Sequence, residues 1–473
     1  MTIKQKFIDR KDELKYLQHE YDKNDFRFIS IIGRRRLGKT RFIEEFLKNK
    51  RDYCYFLVPE LNDPDARLEV SKKLHESLGI SFIGTPSWDD IFAKLFAESQ
   101  DRRMIVVFDE FQRLLNINKS IYSFLQRSLD KYAKRSKMFL IVSGSSIGMM
   151  HKIFDHASAL YGRWTGQLYF QPMGFFDLKD WFPDLSMEKL INIYMIYGGT
   201  PKYLEEAENG DIIENIQRIL SKNSILYNEP ENLIKTEISD SNTYFNILKH
   251  ISNGVSRSSE IATSSGLKTT SIDYFLNVLI NDMELVRKEV PVTEPKRSKK
   301  CIYAVKDNFF KFWFKYIYPN LSDIEIGNIS QIVENIKSEL NMIAGQTFED
   351  VSMQFLIEMN RSNKLPFTFG KIGRQWGRFK AEAGKNTYEI DIVALNEHTK
   401  DILFCECKWQ NRKIDIDILK ELKEKSSFVD WYSNERKEYF AVISKSGFLN
   451  RAKVYAKQNN FILFSLEDFE NSL

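Results

Sequence analysis

The feature that most restricts this chain is an eight-residue turn set between a strand pattern and a helix pattern. The apolar run Phe26–Ile32 ends directly in Gly33-Arg34-Arg35-Arg36-Leu37-Gly38-Lys39-Thr40, and a helical pattern, RFIEEFLKNK, follows. The spacing G-x-x-x-x-G-K-[ST] predicts a loop built to hold phosphate. Gly33 and Gly38 let the backbone wrap closely, so that its N–H groups face phosphate oxygens while the new helix presents its positive end to the same anion. Lys39 is expected to reach the β- and γ-phosphates, and the Thr40 hydroxyl to hold Mg²⁺. Residues Gly33 to Thr40 are therefore the candidate nucleotide-binding set, and a nucleoside triphosphate is the expected ligand.

A second strand pattern supplies the complementary half. Met104–Phe108 is wholly apolar and ends in Asp109-Glu110. In a parallel sheet this puts Asp109 at the carboxyl edge beside the phosphate loop, where it can hold Mg²⁺. Glu110 is placed to orient or deprotonate the attacking water. A third run, Phe139–Val142, leads into Ser143-Gly144-Ser145-Ser146. Ser145 is the candidate sensor of the γ-phosphate, although a turn-forming serine accounts for the same letters. Arg163, in Tyr161-Gly162-Arg163, is a candidate for neutralising transition-state charge, in its own subunit or across a subunit boundary; a solvated surface arginine is the plain alternative.

Composition bounds the rest. At 473 residues the chain predicts about three domains. With 43% hydrophobic and 28% charged residues it can bury several cores, which excludes disordered and collagen-like classes. The net charge of +4 is too small to imply a nucleic-acid partner from the total alone. Cys54, Cys301, Cys405 and Cys407 lack the paired spacing of a zinc site and are too few for a disulfide framework. The longest apolar runs fall well short of the about 20 residues that cross a bilayer. The opening MTIKQKFIDRKDEL turns charged at once, so the expectation is a cytoplasmic protein with no membrane partner.

The strand candidates Phe26–Ile32, Tyr53–Val58, Met104–Phe108, Phe139–Val142 and Gln167–Gln171 alternate with helical patterns, the signature of a parallel α/β sheet. Here the motifs resemble a known family. The segment Phe7-Ile8-Asp9-Arg10-Lys11-Asp12-Glu13-Leu14 is similar to the adenine-covering segment of STAND-clade P-loop ATPases, with Asp9 where glycine is common. Gly198-Gly199-Thr200-Pro201 is similar to that clade's lid motif. Residues 1–235 therefore resemble the archaeal-type ATPases related to AAA+ proteins. The resemblance implies ATP as the nucleotide, contacts from Arg10 and Pro201, a five-stranded sheet of order 5-1-4-3-2 and a small helical lid.

Residues 236–325 change texture. Ser258–Ala262 begins a short helix, Thr269–Ile280 makes a second with apolar positions Ile272, Phe275, Leu276 and Leu279, and two strands follow at Leu285–Val290 and Cys301–Val305. The loop between those strands is basic. This is a winged-helix pattern. Lys268, Lys296, Arg297, Lys299 and Lys300 are candidates to neutralise DNA phosphates, but winged helices also pair proteins. The aromatic run Phe309–Phe314 is expected to pack between domains.

Residues 335–473 carry a different constellation. Glu349 lies in a helical pattern, Ile343–Met359, and two strand patterns follow, Tyr388–Leu395 and Ile402–Trp409. Glu406 and Lys408 share one strand face and Cys405 and Cys407 the other. If the two strands pair as a hairpin, Asp391 approaches Glu406 and the carboxylates form an oxygen-rich Mg²⁺ site. Lys408 then stands where it can orient water or stabilise a pentacovalent phosphate. A helix (Ile414–Lys425), a strand (Tyr439–Ser444), another helix and a strand (Phe461–Ser465) complete the region. Their order resembles the PD-(D/E)XK, restriction-endonuclease-like fold, a multidomain α/β arrangement found behind archaeal-type ATPases. The resemblance implies Asp391, Glu406 and Lys408 as a catalytic triad, Glu349 as the acid of the first helix, DNA as partner and a homo-oligomer as a possible state. A non-cleaving DNA-binding regulator and a STAND-like signalling switch remain as alternatives.

Overall fold

The computed structural model describes residues 7–8, 10–238, 240–379 and 387–471. Within them the chain divides into two compact units. The first comprises the chain up to Pro172, together with Thr200–Lys202 and Asn277–Glu284. Its sheet contains β1 (Arg27–Ile32), β2 (Tyr53–Leu57), β3 (Met104–Asp109), β4 (Met138–Gly144) and β5 (Gly166–Tyr169). All pairings are parallel and the order is β2-β3-β4-β1-β5, which is the expected order 5-1-4-3-2 read from the other edge.

The near-continuous apolar strands are explained by helices on both faces. Phe28, Ile32, Val106, Phe108, Leu140 and Val142 enter one core, with the helices Asp63–Leu78, Trp88–Glu98 and Ile121–Tyr132. The alternate residues Ile29, Ile31, Ile105, Val107, Phe139 and Ile141 enter a second core, with Leu17 of Lys11–Asp22 and Phe42 of Lys39–Leu47. One period-2 alternation thus serves two buried faces. Local signals start the helices. Asn62 accepts from Asp65 N–H, and Ser87 and Asp90 form a reciprocal capping box.

The second unit contains the carboxyl-terminal region and the segment expected to be a winged helix, apart from Asn277–Glu284, which fall in the first unit. In the former, the helix Ser258–Ser264 and the short helix Ile272–Asn277 precede an antiparallel ribbon of β6 (Val286–Glu289) and β7 (Ile302–Val305). The second helix is thus shorter than the expected Thr269–Ile280, the chain continuing through wider turns from Val278 to Asp282. The aromatic run is buried, and Trp313 Nε1 donates to the Tyr227 carbonyl at 2.7 Å.

The carboxyl-terminal sheet runs β12-β11-β10-β9-β8, from β8 (Lys371–Arg378), β9 (Thr387–Asn396), β10 (Asp401–Lys408), β11 (Lys437–Ser444) and β12 (Phe461–Ser465). β9 pairs antiparallel with both β8 and β10, so the expected hairpin forms, while β10, β11 and β12 are parallel. The helices Ile416–Ser427 and Asn450–Gln458 cover the face that carries Ile402 and Phe404. The 32-residue helix Ser330–Arg361 is longer at its start than the expected Ile343–Met359, and Phe348 from it meets Trp409, the residue after β10. β8 was not among the sequence expectations.

Between Gly373↔Val393 and Gln375↔Ile390 the register gains one residue on β9. Asp391 and Ile392 therefore stand opposite Arg374 as a bulge. Such an insertion re-aims a side chain, here a candidate catalytic carboxylate.

Candidate functional site

In the first unit the parallel register brings the candidate residues to one edge. Ile32 pairs with Gly144, Phe108 with Val142 and Leu57 with Asp109, so the phosphate loop, Asp109 and the β4 serines all leave the carboxyl ends of their strands. Gly38 has φ +82 and caps the helix Lys39–Leu47. A Cβ built on Gly33 lies 2.7 Å from the Phe170 carbonyl oxygen and 2.8 Å from its Cβ, so only glycine fits between the loop and the end of β5 without movement. Lys39, 5% exposed, donates to the carbonyls of Gly33 and Arg34 at 2.6 and 2.8 Å. Its ammonium is thus parked inside the loop where phosphate oxygens belong. Forcing a methyl against Phe170 costs about 1–3 kcal/mol. Gly33→Ala is therefore expected to weaken ATP binding by about tenfold, read by calorimetry; unchanged affinity contradicts this packing role.

Asp109 is 1% exposed. Thr40 Oγ1 and the Tyr55 hydroxyl donate to its Oδ2 at 2.7 and 2.6 Å, and Ser143 donates to Oδ1. A buried carboxylate satisfied by hydroxyls rather than by a cation suits a divalent metal. Thr40 and Asp109 are the residues of this unit that fit Mg²⁺. Tyr55 was missed, because on sequence it is one more aromatic residue in an apolar strand. Glu110 sits at φ +57, an uncommon conformation for glutamate. Its Oε2 accepts from Ser145 Oγ at 2.7 Å and from Gln112. Ser145 therefore reaches the general-base candidate directly.

Arg10 is buried beside Phe170, its guanidinium 4.5 Å from the ring centroid, and donates to the Gln171 carbonyl and to Glu13. That puts it next to the strand end that abuts Gly33; Asp9 lies outside the described residues. Lys202 N–H, next to Pro201, donates to the Arg36 carbonyl at 3.4 Å. Arg163 is elsewhere. It precedes β5, whose first residue, Gly166, pairs with Ile29, and this places it toward the amino-terminal edge of the sheet, opposite the phosphate loop. There it makes a two-pronged pair with Asp130, at 2.8 and 2.9 Å.

In the second unit Asp391, Glu406, Lys408 and Glu349 gather around the bulge. Asp391 Oδ2 accepts from the Cys407 N–H at 2.8 Å. Lys408 and Lys425 both reach Glu406 Oε1, at 2.6 and 3.2 Å. Glu406 is 4% exposed, and its Oε2 is buried without a hydrogen-bond partner. A buried anionic oxygen left open beside a second carboxylate fits a divalent cation, so Asp391 and Glu406 are the pair that can hold one. Among the described residues no three His, Cys, Asp or Glu side chains are gathered to hold a metal ion. Glu349 is instead drawn toward Arg374, at 3.5 Å, and Glu389 pairs with the same guanidinium at 2.5 Å.

The charges explain the titration. Burial, then the Glu406 anion, pushes Asp391 up to about 6, against Lys408 and the Cys407 N–H. Burial, then the Asp391 anion, pushes Glu349 up to about 8 from its ordinary 4.5. Burial disfavours the Lys408 charge, yet Glu406 and Asp391 outweigh it and raise its pKa. Lys425 was missed because Glu421, four residues earlier on one helix, makes it read as a surface ion pair; that pair also forms, at 2.9 Å. A raised carboxyl pKa favours the folded chain below the ordinary value, and this contribution is lost as pH rises through the folded value. Stability is thus expected to fall between pH 5 and 8. In chelator, Glu349→Gln is expected to lessen that fall by about 2 °C or more in Tm, read by calorimetry. An equal fall in both proteins contradicts it.

Among the described residues no helix is long and apolar enough to cross a membrane. Residues 7–207 match the family described as "ATPase domain predominantly from Archaea", and residues 313–426 match "Archaea bacterial proteins of unknown function". The chain is 37% identical over 471 residues, 98% of its own length and 100% of the other's, to "Uncharacterized protein MJECL04" of Methanocaldococcus jannaschii. "Uncharacterized ATP-binding protein MJ0423" of the same organism is 44% identical over 45 residues, 10% of this chain and 76% of that one. Among solved structures, the Walker-type ATPase paby2304 of Pyrococcus abyssi covers 66% of this chain and 97% of its own, with a TM-score of 0.52 and 20% identity, a likeness of fold. The chain therefore belongs to the family of the Methanocaldococcus jannaschii protein it matches end to end, and its residues 7–207 form an ATPase domain of the predominantly archaeal kind.

Proposed function

We propose that this protein is an ATP-controlled, Mg²⁺-dependent phosphodiesterase acting on DNA. It combines an ATPase domain with its lid (1–235), a winged helix (236–325) and a PD-(D/E)XK nuclease-like domain (335–473). In the ATPase half Lys39 leaves the loop carbonyls for the β- and γ-phosphates, while Thr40 and Asp109 hold the cation that accompanies the nucleotide. Glu110, steered by Ser145, takes the proton of the attacking water. Arg163 serves a neighbouring subunit, a reading supported by its position toward the sheet edge opposite its own loop.

The observation that carries the nuclease half is the buried, open Oε2 of Glu406 with Asp391 and Lys408 beside it. A divalent cation held by these carboxylates supplies Lewis acidity toward a phosphodiester oxygen. Lys408 orients water and offsets charge on the phosphate, and Lys425 keeps Glu406 from turning away. DNA is the partner that suits this chemistry, with Lys268, Lys296, Arg297 and Lys299 exposed for phosphate contact.

The pairing of Glu349 with Arg374 at 3.5 Å, rather than with Asp391 and Glu406 around one cation, favours a second reading, a regulator that grips DNA without cutting it. The deciding experiment incubates the full chain with linear, nicked and single-stranded DNA, with Mg²⁺ or Mn²⁺, with and without ATP. Cation-dependent cleavage lost in Asp391→Asn supports the phosphodiesterase. Salt-dependent binding without cleavage supports the regulator.

A further inference from the structure

Arg374 is the least expected member of the carboxylate cluster. It lies on the edge strand β8 directly opposite the Asp391–Ile392 bulge. Its Nη2 is 2.5 Å from Glu389 and 3.5 Å from Glu349, and its Nη1 is 3.8 Å from Glu289. Glu289 belongs to β6, the first strand of the ribbon. The same stretch is fixed to β8 by Val292 N–H donating to the Arg374 carbonyl at 3.0 Å, and by Thr293 Oγ1 donating to Gln375 at 3.0 Å. Arg287, also on β6, reaches Asp350 of the long helix at 3.0 Å and Glu289 at 2.5 Å. The wall of this centre is thus shared between the ribbon and the carboxyl-terminal sheet.

A guanidinium among carboxylates does electrostatically what a divalent cation would do. It neutralises them, and it draws Glu349 toward itself. Its Nε is buried without an acceptor, and its Nη1 faces the equally unbonded Glu289 Oε2 at ion-pair distance, so the arginine is held mainly through Nη2 and is not saturated by its surroundings. Glu406, 4% exposed, is held through Oε1 by Lys408 and Lys425, and its Oε2 is left open, unbonded by Arg374.

The geometry points to Arg374 as a built-in counter-cation that competes with a divalent metal for this cluster, with Glu289 of the ribbon as the tether that holds it off the metal pair. Arg374 and Glu289 are positioning residues, and the placement of the ribbon sets how tightly the centre takes its metal. This rests on the reading of Asp391 and Glu406 as a divalent-cation pair.

The test is Mn²⁺ binding to the nucleotide-free full chain by calorimetry, the site being defined as the binding that Asp391→Asn removes. Removing a unit positive charge that sits opposite the Asp391 bulge and beside Glu349 is expected to tighten that site by about tenfold or more in Arg374→Gln, while Arg374→Lys, which keeps the charge, stays within about twofold of wild type. Glu289→Gln frees the arginine to lean further onto the acids, and binding weakens by about threefold. Opposite signs from two adjoining residues are not what a purely structural role gives. Equal or weaker binding in Arg374→Gln overturns the proposal while leaving the metal pair standing. Should that variant not fold, unchanged or tighter binding in Glu289→Gln overturns it. No Asp391-dependent Mn²⁺ binding in wild type or Arg374→Gln overturns both this proposal and the metal-pair reading.

Discussion

Lys39→Ala is expected to lower ATP turnover by a hundredfold or more while the protein stays folded. The lysine is 5% exposed and donates to two loop carbonyls, Gly33 and Arg34. Both contacts are internal to a loop whose shape is set by Gly33 and Gly38, so truncation leaves the loop standing but strips its mobile positive charge. In water-excluded sites one such charge on a transferring phosphoryl group is worth about 10²–10³ in rate. Thermal unfolding near the wild-type temperature together with lost phosphate release is the expected pair of results. Unchanged hydrolysis contradicts the assignment of the loop.

The second large effect lies at the other site. Lys408→Ala is expected to reduce cation-dependent DNA cleavage by about 10²–10³, with little change in ATP hydrolysis. Lys408 is one of two ammonium groups on the same oxygen of Glu406. Its removal leaves Lys425 to hold that carboxylate in place, so the metal pair persists while the charge nearest the reacting phosphate is lost. Loss of ATP turnover together with cleavage would instead indicate general damage, which thermal unfolding detects.

Much of the first unit was legible because its signals are specific and local. Four fixed letters in the eight residues from Gly33 to Thr40, with a strand before and a helix after, admit few folds, and apolar strands ending in Asp109 or Ser143 follow from burial on both sheet faces. The second unit was legible where polar residues interrupt apolar strands, as at Asp391, Glu406 and Lys408. It was not legible at β8. Lys371–Arg378 contains two glycines and three basic residues, and it lies at the edge of the sheet, where one side needs no partner strand and the apolar alternation fades. With β8 unseen, Arg374 had no place near Asp391, and the bulge that turns Asp391 was invisible, because an inserted residue leaves no mark in a two-residue period. Glu389, two residues before Asp391, is paired with the same Arg374. The ribbon loop reads on charge alone as a DNA-facing wing; what charge could not show is that Val292 and Thr293 at its start are bonded to β8 and that Lys300 is paired with Glu294.

The claim on which the functional reading depends is that nucleotide held at the Gly33–Thr40 loop controls metal-dependent chemistry at Asp391 and Glu406. The most direct measurement is the DNA cleavage rate in Mn²⁺ for wild type, Lys39→Ala and Asp391→Asn, each with and without ATP. A rate that responds to ATP in wild type, no longer responds in Lys39→Ala and vanishes in Asp391→Asn is the predicted result. Cleavage by wild type that ignores ATP, or that survives in Asp391→Asn, would contradict it.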